Sequence, residues 1–545
     1  MSSKSLKTCL FDAVIIGAGF AGLYALHRLR EMGLSVRVYE GASGVGGTWW
    51  WNRYPGARVD FPSAPYYAYS FSKELLDEFE WEERQPSQRE VLSYLNFVTD
   101  KLELRPDIQF ETWITDASFD EATNRWELKT GDGERISTQF LVSAMGTLSD
   151  ANKPNIAGID DFAGEIYHTG QWPHDEVSFE SKRIGVIGTG SSGIQSIPEI
   201  AKTAGHLTVF QRTPQFSIPA GNRPVDPADV AEARNNWETR KRYMAEGPVG
   251  MPYPMSEKSA LDDPPEVRNA VYQKLWDDGG LQMLFNAYDD LLAVKESNDT
   301  LADFIRGKIK EIVKDPDTAQ KLMPDYILGT KRQVIDDGYF NTYNRDNVNL
   351  VDLREDPIEK FTADGVRTKD GEHPLDMLVL ATGFDAITGK LLRLNPKGRG
   401  GVDLRTAWKD RFYTYLGMAI PGFPNLFMVH GPESPSVLFN MPLGAEREGD
   451  WIRNCIAHLR DNGIASIEPE PGIDAKWAES VEAAAKETLF HGTESWYSGA
   501  NIEGKHQQFI VHLGGQEYFQ HLIDVADKGY EGFVMQAEQE VASAG

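Results

Sequence analysis

The apolar positions of the chain fall into two kinds of run. Short, continuous runs occur at Asp12-Ala-Val-Ile-Ile16, Ser35-Val-Arg-Val-Tyr39, Arg183-Ile-Gly-Val-Ile187, Leu207-Thr-Val-Phe210 and Leu375-Asp-Met-Leu-Val-Leu-Ala381. Several are apolar on both faces, which predicts strands buried inside a parallel sheet. Other runs repeat at three and four. Leu23-Tyr-Ala-Leu-His-Arg-Leu29 reads as a helix, and Leu301, Phe304, Ile305, Ile309 and Ile312 fall on one helical face. Asn298-Asp299-Thr300 reads as the cap that starts that second helix. Alternating buried strands and helices predict an α/β chain with parallel sheets.

Two strand-to-helix junctions carry the same glycine pattern. Gly17-Ala-Gly19-Phe-Ala-Gly22 follows the first strand, and Gly188-Thr-Gly190-Ser191-Ser192-Gly193 follows Arg183–Ile187. In such a loop the first glycine makes the turn, the second lets backbone approach a pyrophosphate, and the third lets helix and strand pack. The phosphates sit on the helix N-terminus, where unpaired N–H groups and the dipole favour an anion. The strand that follows each loop ends differently. Glu40 lies 18 residues beyond Gly22 and suits a ribose with a free 2′-hydroxyl. Arg212, with Thr213 beside it, lies 19 residues beyond Gly193. A guanidinium there clamps a 2′-phosphate, so this site should prefer NADPH to NADH. The fold class expected is α/β, with two Rossmann-like dinucleotide-binding domains and a helical insertion.

Composition narrows the partners. The 545 residues carry 55 Lys and Arg against 82 Asp and Glu, a formal charge of −27. That argues against nucleic acid or an anionic membrane, and it means an anionic cofactor needs a local basic pocket. Cys9 and Cys455 are the two cysteines, too few and too far apart for a redox pair or a disulfide framework. Met1–Leu10 has no apolar signal core, no run of 18 apolar residues occurs, and the C-terminal Ala-Ser-Ala-Gly545 is no retention or peroxisomal tripeptide. A cytoplasmic, monomeric protein without a metal is the expectation.

Two further motifs resemble those of the Baeyer–Villiger monooxygenases, flavoproteins that insert oxygen beside a ketone carbonyl. Phe162-x-Gly164-x-x-x-His168-x-x-x-Trp172-Pro173 stands between the glycine loops. Gly46-Gly47-Thr48-Trp49, followed by Tyr54-Pro55-Gly56 and Asp60, fills every specified position of a second family pattern. The resemblance covers roughly residues 10–535. It implies FAD and NADPH as cofactors, a small ketone and O2 as substrates, and an ester or lactone formed through a C4a-peroxyflavin, with sulfoxidation beside it. Residues 1–150 and 390–545 are then expected to be the FAD-binding domain, 151–220 and 331–389 the NADP-binding domain, and 221–330 the insertion. By the same resemblance Arg332 is the catalytic arginine, Asp60 fixes it, and Lys331 helps to bind the phosphate. Gly47, Thr48, Trp49, Tyr54, Tyr66, Ala381, Thr382, Gly383 and Trp496 are cofactor contacts. His168 is expected to be a hinge or hydrogen-bond residue rather than a general base. Pro435, Ser436, Val437, Leu438, Phe439 and Met441 form the substrate-side loop, a long version in this chain. A flavin-containing N/S-monooxygenase shares both glycine loops but lacks Trp172-Pro173 in its pattern. A pyridine-nucleotide disulfide reductase needs the missing cysteine pair. A redox sensor that has lost turnover is the non-enzyme alternative.

Overall fold

The computed structural model describes residues 8–61, 64–253 and 255–537. The readings made on residues 1–7 and on the C-terminal tetrapeptide lie outside them. The first sheet is built from β1 (Cys9–Ile16), β2 (Val36–Tyr39), β3 (Ile108–Gln109), β4 (Ile114–Asp120), β5 (Arg125–Thr130) and β6 (Arg135–Ser143). Their order is β3-β2-β1-β6-β5-β4. β1 is sandwiched in parallel between β2 and β6, which explains why Ala13, Val14 and Ile15 are wholly buried.

The second half begins with β7 (Glu165–His168), β8 (Arg183–Ile187) and β9 (His206–Gln211). β10 (Ser217–Pro219) pairs in parallel with β11 (Val334–Asp336), bracketing the insertion. β12 (Val348–Asp352) follows, then an antiparallel sheet of β13 (Ile358–Thr362), β14 (Gly365–Thr368) and β15 (Glu372–Pro374), then β16 (Met377–Leu380). The order β12-β9-β8-β16-β7 makes a five-stranded sheet, parallel throughout. The chain then returns to the first sheet, where β17 (Leu426–Met428) pairs in parallel with β6.

The two crossings between the halves run side by side. Asn152 N donates to Gly383 O (2.9 Å), Asp385 N to Asp150 O (2.8 Å) and Ile387 N to Thr147 O (2.7 Å). Among the described residues, no helix is long and apolar enough to cross a membrane.

The helix expected to start at Asn298-Asp299-Thr300 starts earlier and spans Lys295–Ile312. Asn298 lies one turn inside it, buried. Its side-chain amide donates to the carbonyls of Leu291 (2.8 Å) and Leu328 (2.9 Å), tying loops together instead of capping. Lys-Glu-Ser before it contains no helix breaker, so nothing local stops the extra turn. The inward face is as expected: Leu301, Ile305 and Ile309 are buried.

Candidate active site

The two glycine loops are the same construction made twice. Gly17 and Gly188 both sit at φ +105°, and a Cβ on either would meet a carbonyl oxygen, of Ala144 or Ala381, at 2.4 Å. Only glycine fits there. A Cβ on Gly22 would meet Gly17 O at 1.8 Å, and one on Gly193 would meet Gly188 O at 2.2 Å. These two glycines seat their helices and do not line the cavity. Gly19 and Gly190 cap the helices Phe20–Glu31 and Ser191–Ala201, with no side chain satisfying the first-turn amides. A Cβ on Gly190 would have nothing within 4 Å, and one on Gly19 would stand 3.4 Å from Gly47 Cα. Each helix therefore presents bare amides to an open cradle, which is what a pyrophosphate needs.

Both cradles open on one cavity of about 1620 Å³. A pocket for one small ligand is typically ~300–1,000 Å³, so there is room for more than one. Thr48, Trp49, Tyr54, Asp60, Ser191, Ser192, Arg212, Thr213, Lys331, Arg332, Ala381, Thr382, Gly383 and Trp496 all face this cavity. Tyr66 does not. It packs edge-on against Tyr253 (centroids 6.2 Å apart), while its neighbour Tyr67 packs on Trp49 (5.7 Å) and lines the wall. The segment is irregular, so adjacent side chains diverge and no periodicity distinguishes them. Of the three tryptophans, Trp49 and Trp51 face the cavity. Trp50 stacks outside against His174 and Arg53.

The ends of the second strands differ in environment as well as charge. Glu40 is buried, with Oε2 accepting from Ala18 N (2.7 Å) and Oε1 from Ala42 N (2.8 Å). Burial raises its pKa against the pull of those amides. Arg212 is exposed to the cavity and makes no hydrogen bond or ion pair among the described residues. Lys331 lies close enough that burial, and then Arg212, depress its pKa. Its Nζ donates to Glu494 O (2.6 Å), on the loop that carries Trp496.

Arg332 is held from two sides. Its Nε and Nη2 donate to Asp60 Oδ2 (3.0 Å) and Oδ1 (2.8 Å), a bidentate pair, and Nη1 donates to Val437 O (2.7 Å). Burial works against its charge, but Asp60 and then Tyr497 outweigh it and raise the pKa above its usual value. The residue stands where the large cavity meets a second, apolar one of about 70 Å³. Leu281, Leu284, Phe285 and Leu292 of the insertion wall this smaller space.

The substrate-side loop divides between them. Val437, Phe439 and Met441 face the large cavity, Pro435 and Leu438 the small one, and Ser436 is buried facing neither. The motif between the glycine loops builds β7 and its exit. Phe162 and Trp172 are core residues, and Gly164 fits under Asp376 O, where a Cβ would stand 2.5 Å away. His168 Nδ1 accepts from Gly170 N (2.9 Å), and Nε2 lies 3.3 Å from Thr382 Oγ1. Burial lowers its pKa, so it stays neutral. Of this stretch and its neighbours, Gly170 and Gln171 reach the cavity, whereas Phe162, Gly164, His168, Trp172 and Pro173 do not.

Two cradles on one cavity, one finished by a carboxylate and the other by a pair of cations, define a protein built for two dinucleotides, the second of them suited to an extra phosphate. Comparison with known proteins narrows this. Residues 14–227 match the family model described as pyridine nucleotide-disulphide oxidoreductase. Neither cysteine lines the cavity: Cys9 Sγ donates to Glu134 (3.3 Å) and Cys455 is buried, so the match reflects the shared two-nucleotide plan. A Baeyer–Villiger monooxygenase of Pseudooceanicola batsensis is 43% identical over 96% of each chain. A phenazine N-monooxygenase of Lysobacter antibioticus is 44% identical over 97% of each. A steroid monooxygenase bound to NADP superposes with a TM-score of 0.92 at 47% identity, covering 97% of this chain and 100% of that one. OTEMO in complex with FAD and NADP superposes with a TM-score of 0.93 at 38% identity and the same coverage. The chain belongs to the Baeyer–Villiger monooxygenase family.

Proposed function

We propose that the protein is an FAD-dependent monooxygenase that consumes NADPH and O2 and converts ketones to esters or lactones. The observation that carries this reading is the bidentate Asp60–Arg332 pair at the junction of the two cavities. Gly17, Gly19, Glu40, Trp49, Tyr54 and Tyr67 would hold FAD. Gly188, Gly190, Arg212, Lys331 and Trp496 would hold NADPH. FAD supplies electron transfer from the nicotinamide and activation of oxygen when bound.

The protein's own task is to stabilise an anionic oxygen next to an apolar substrate. Arg332 does so as a permanent cation that cannot give up its proton at working pH. A unit pair at ~4 Å and an effective dielectric of ~20 interacts by about 4 kcal/mol, which is roughly a thousandfold in rate. Asp60 fixes the guanidinium plane, so no reorganisation is needed when charge develops. The small cavity excludes water from the ketone, and its largely apolar walls favour an apolar one.

Residues 1–150 and 390–545 are assigned to the FAD part, 151–220 and 331–389 to the NADP part, and 221–330 to the insertion, on the division of strands between the two sheets. NADPH comes from a reducing pool and Cys455 is a free, buried thiol; we place the enzyme in the cytoplasm. Every group named comes from one chain, so a monomer completes the site. The test is product analysis with FAD, NADPH and a panel of ketones, sulfides and aromatic N-heterocycles. NADPH-dependent ester from ketones supports the reading, with sulfoxides as a side product. Turnover confined to the sulfides or N-heterocycles would replace it with heteroatom oxygenation.

A further inference from the structure

A short segment, Tyr54–Asp60, lies between the two halves, and its alternate positions all meet the second one. Tyr54 OH donates to Gln195 Oε1 (2.8 Å) in a buried contact. Gly56, at φ +78°, comes so close to the helix Ser191–Ala201 that a Cβ would meet Gln195 O at 2.3 Å. Arg58 O accepts from Gln195 Nε2 (3.2 Å), and Arg58 Nε lies 3.3 Å from Asp337 Oδ2. Asp60 holds Arg332. Ala57 and Val59 bond the other way, Gln88 N donating to Ala57 O (2.8 Å) and Val59 N to Pro86 O (2.9 Å), and Arg58 Nη1 also reaches back to Glu83 Oε2 (2.6 Å) and Gln85 O (3.0 Å).

Gln195 is thus engaged at both ends of its carboxamide by the segment that contributes Tyr54 to one nucleotide site and Asp60 to Arg332. It sits one turn into the helix that begins at the second glycine loop. We propose that Gln195 is a positioning residue, registering the Tyr54–Asp60 segment against that helix and so setting the alignment of the two nucleotide sites. For hydride transfer this rests on the function proposed above; for the segment itself it rests on the contacts alone. A misplacement of ~1 Å in such an arrangement costs on the order of a hundredfold in rate.

Gln195→Met keeps the size and removes both polar ends. In the protein without cofactors, hydrogen exchange of the 54–60 amides should accelerate at least tenfold, with β1 and β8 unchanged. In the FAD-loaded enzyme, anaerobic flavin reduction by NADPH should slow at least tenfold while the Kd for NADP+, by calorimetry, moves less than threefold. Tyr54→Phe breaks one of the two Gln195 links and should slow reduction by a smaller factor, and the double variant should be no slower than Gln195→Met alone, because its second substitution acts on a link already broken. Unchanged exchange, reduction within twofold of wild type in both single variants, or a loss of NADP+ affinity as large as the loss of rate would overturn the proposal. If the wild-type flavin is not reduced by NADPH, the proposed function falls, and the exchange measurement alone decides Gln195.

Discussion

The two glycine loops share a backbone plan and differ in how the following strand ends. Gly17 and Gly188 adopt the same φ, and Gly22 and Gly193 press on the same carbonyl of their own loops. The shared glycine geometry does not by itself distinguish one dinucleotide from another. Discrimination is displaced to one side chain beyond it. Glu40 is buried and braced by two backbone amides, and in the proposed function it accepts ribose hydroxyls and disfavours a phosphate. Arg212 is unbraced and stands near a second cation, Lys331. In a chain of net charge −27, two neighbouring cations facing one cavity are the feature on which the proposed phosphate contact rests.

The largest effect belongs to the residue at the junction of the two cavities. Arg332→Ala should lower ester formation, by gas chromatography, about a thousandfold, while anaerobic flavin reduction by NADPH stays within about threefold on the same scale. Ester at near wild-type rates would remove Arg332 from the chemistry. Arg212→Ala should lower kcat/KM for NADPH by roughly 10- to 100-fold, the worth of a charged hydrogen bond. The value for NADH should not change, and equal losses for both would exclude a phosphate contact. Glu40→Ala should weaken FAD about tenfold, read from flavin fluorescence, by stranding two amides and the ribose. NADP+ affinity should be untouched, and a parallel loss there would mean that the carboxylate serves the fold rather than one site.

The smallest effect concerns stability. Glu446 is buried against Ser70, and burial raises its pKa from 4.5 to about 7. Between those values the unfolded chain releases a proton that the folded chain keeps, so this group makes stability fall as pH rises from 4.5 to about 7. Above that it contributes no further slope. Glu446→Gln cannot titrate, so its apparent Tm relative to wild type should rise by ~2 °C across that window. A constant difference from pH 4.5 to 8 would show that the carboxyl is ionised in the fold.

Much of this was legible in the residues, because glycine spacing and buried-strand runs are local signals. β1, β8, both helices after them and the charges at Glu40 and Arg212 follow from positions close in sequence. What was missed depends on tertiary placement. Tyr67, not Tyr66, faces the cavity because an irregular segment has no period to read. Gln195 was invisible as a link, since a glutamine in a helix becomes a bridge only when Tyr54 and Arg58 are brought to it from 141 and 137 residues away. The early start of Lys295–Ile312 follows from Asn298 finding two buried carbonyls, which outweighed its preference for a cap.

The central claim is that the protein takes one oxygen atom from O2 and delivers it to a ketone. Turnover of cyclohexanone under ¹⁸O2 with FAD, NADPH and wild-type protein tests it directly. The account predicts lactone carrying a single ¹⁸O, with one NADPH consumed per lactone. Unlabelled lactone, or label released only as hydrogen peroxide while the ketone is recovered intact, would contradict it.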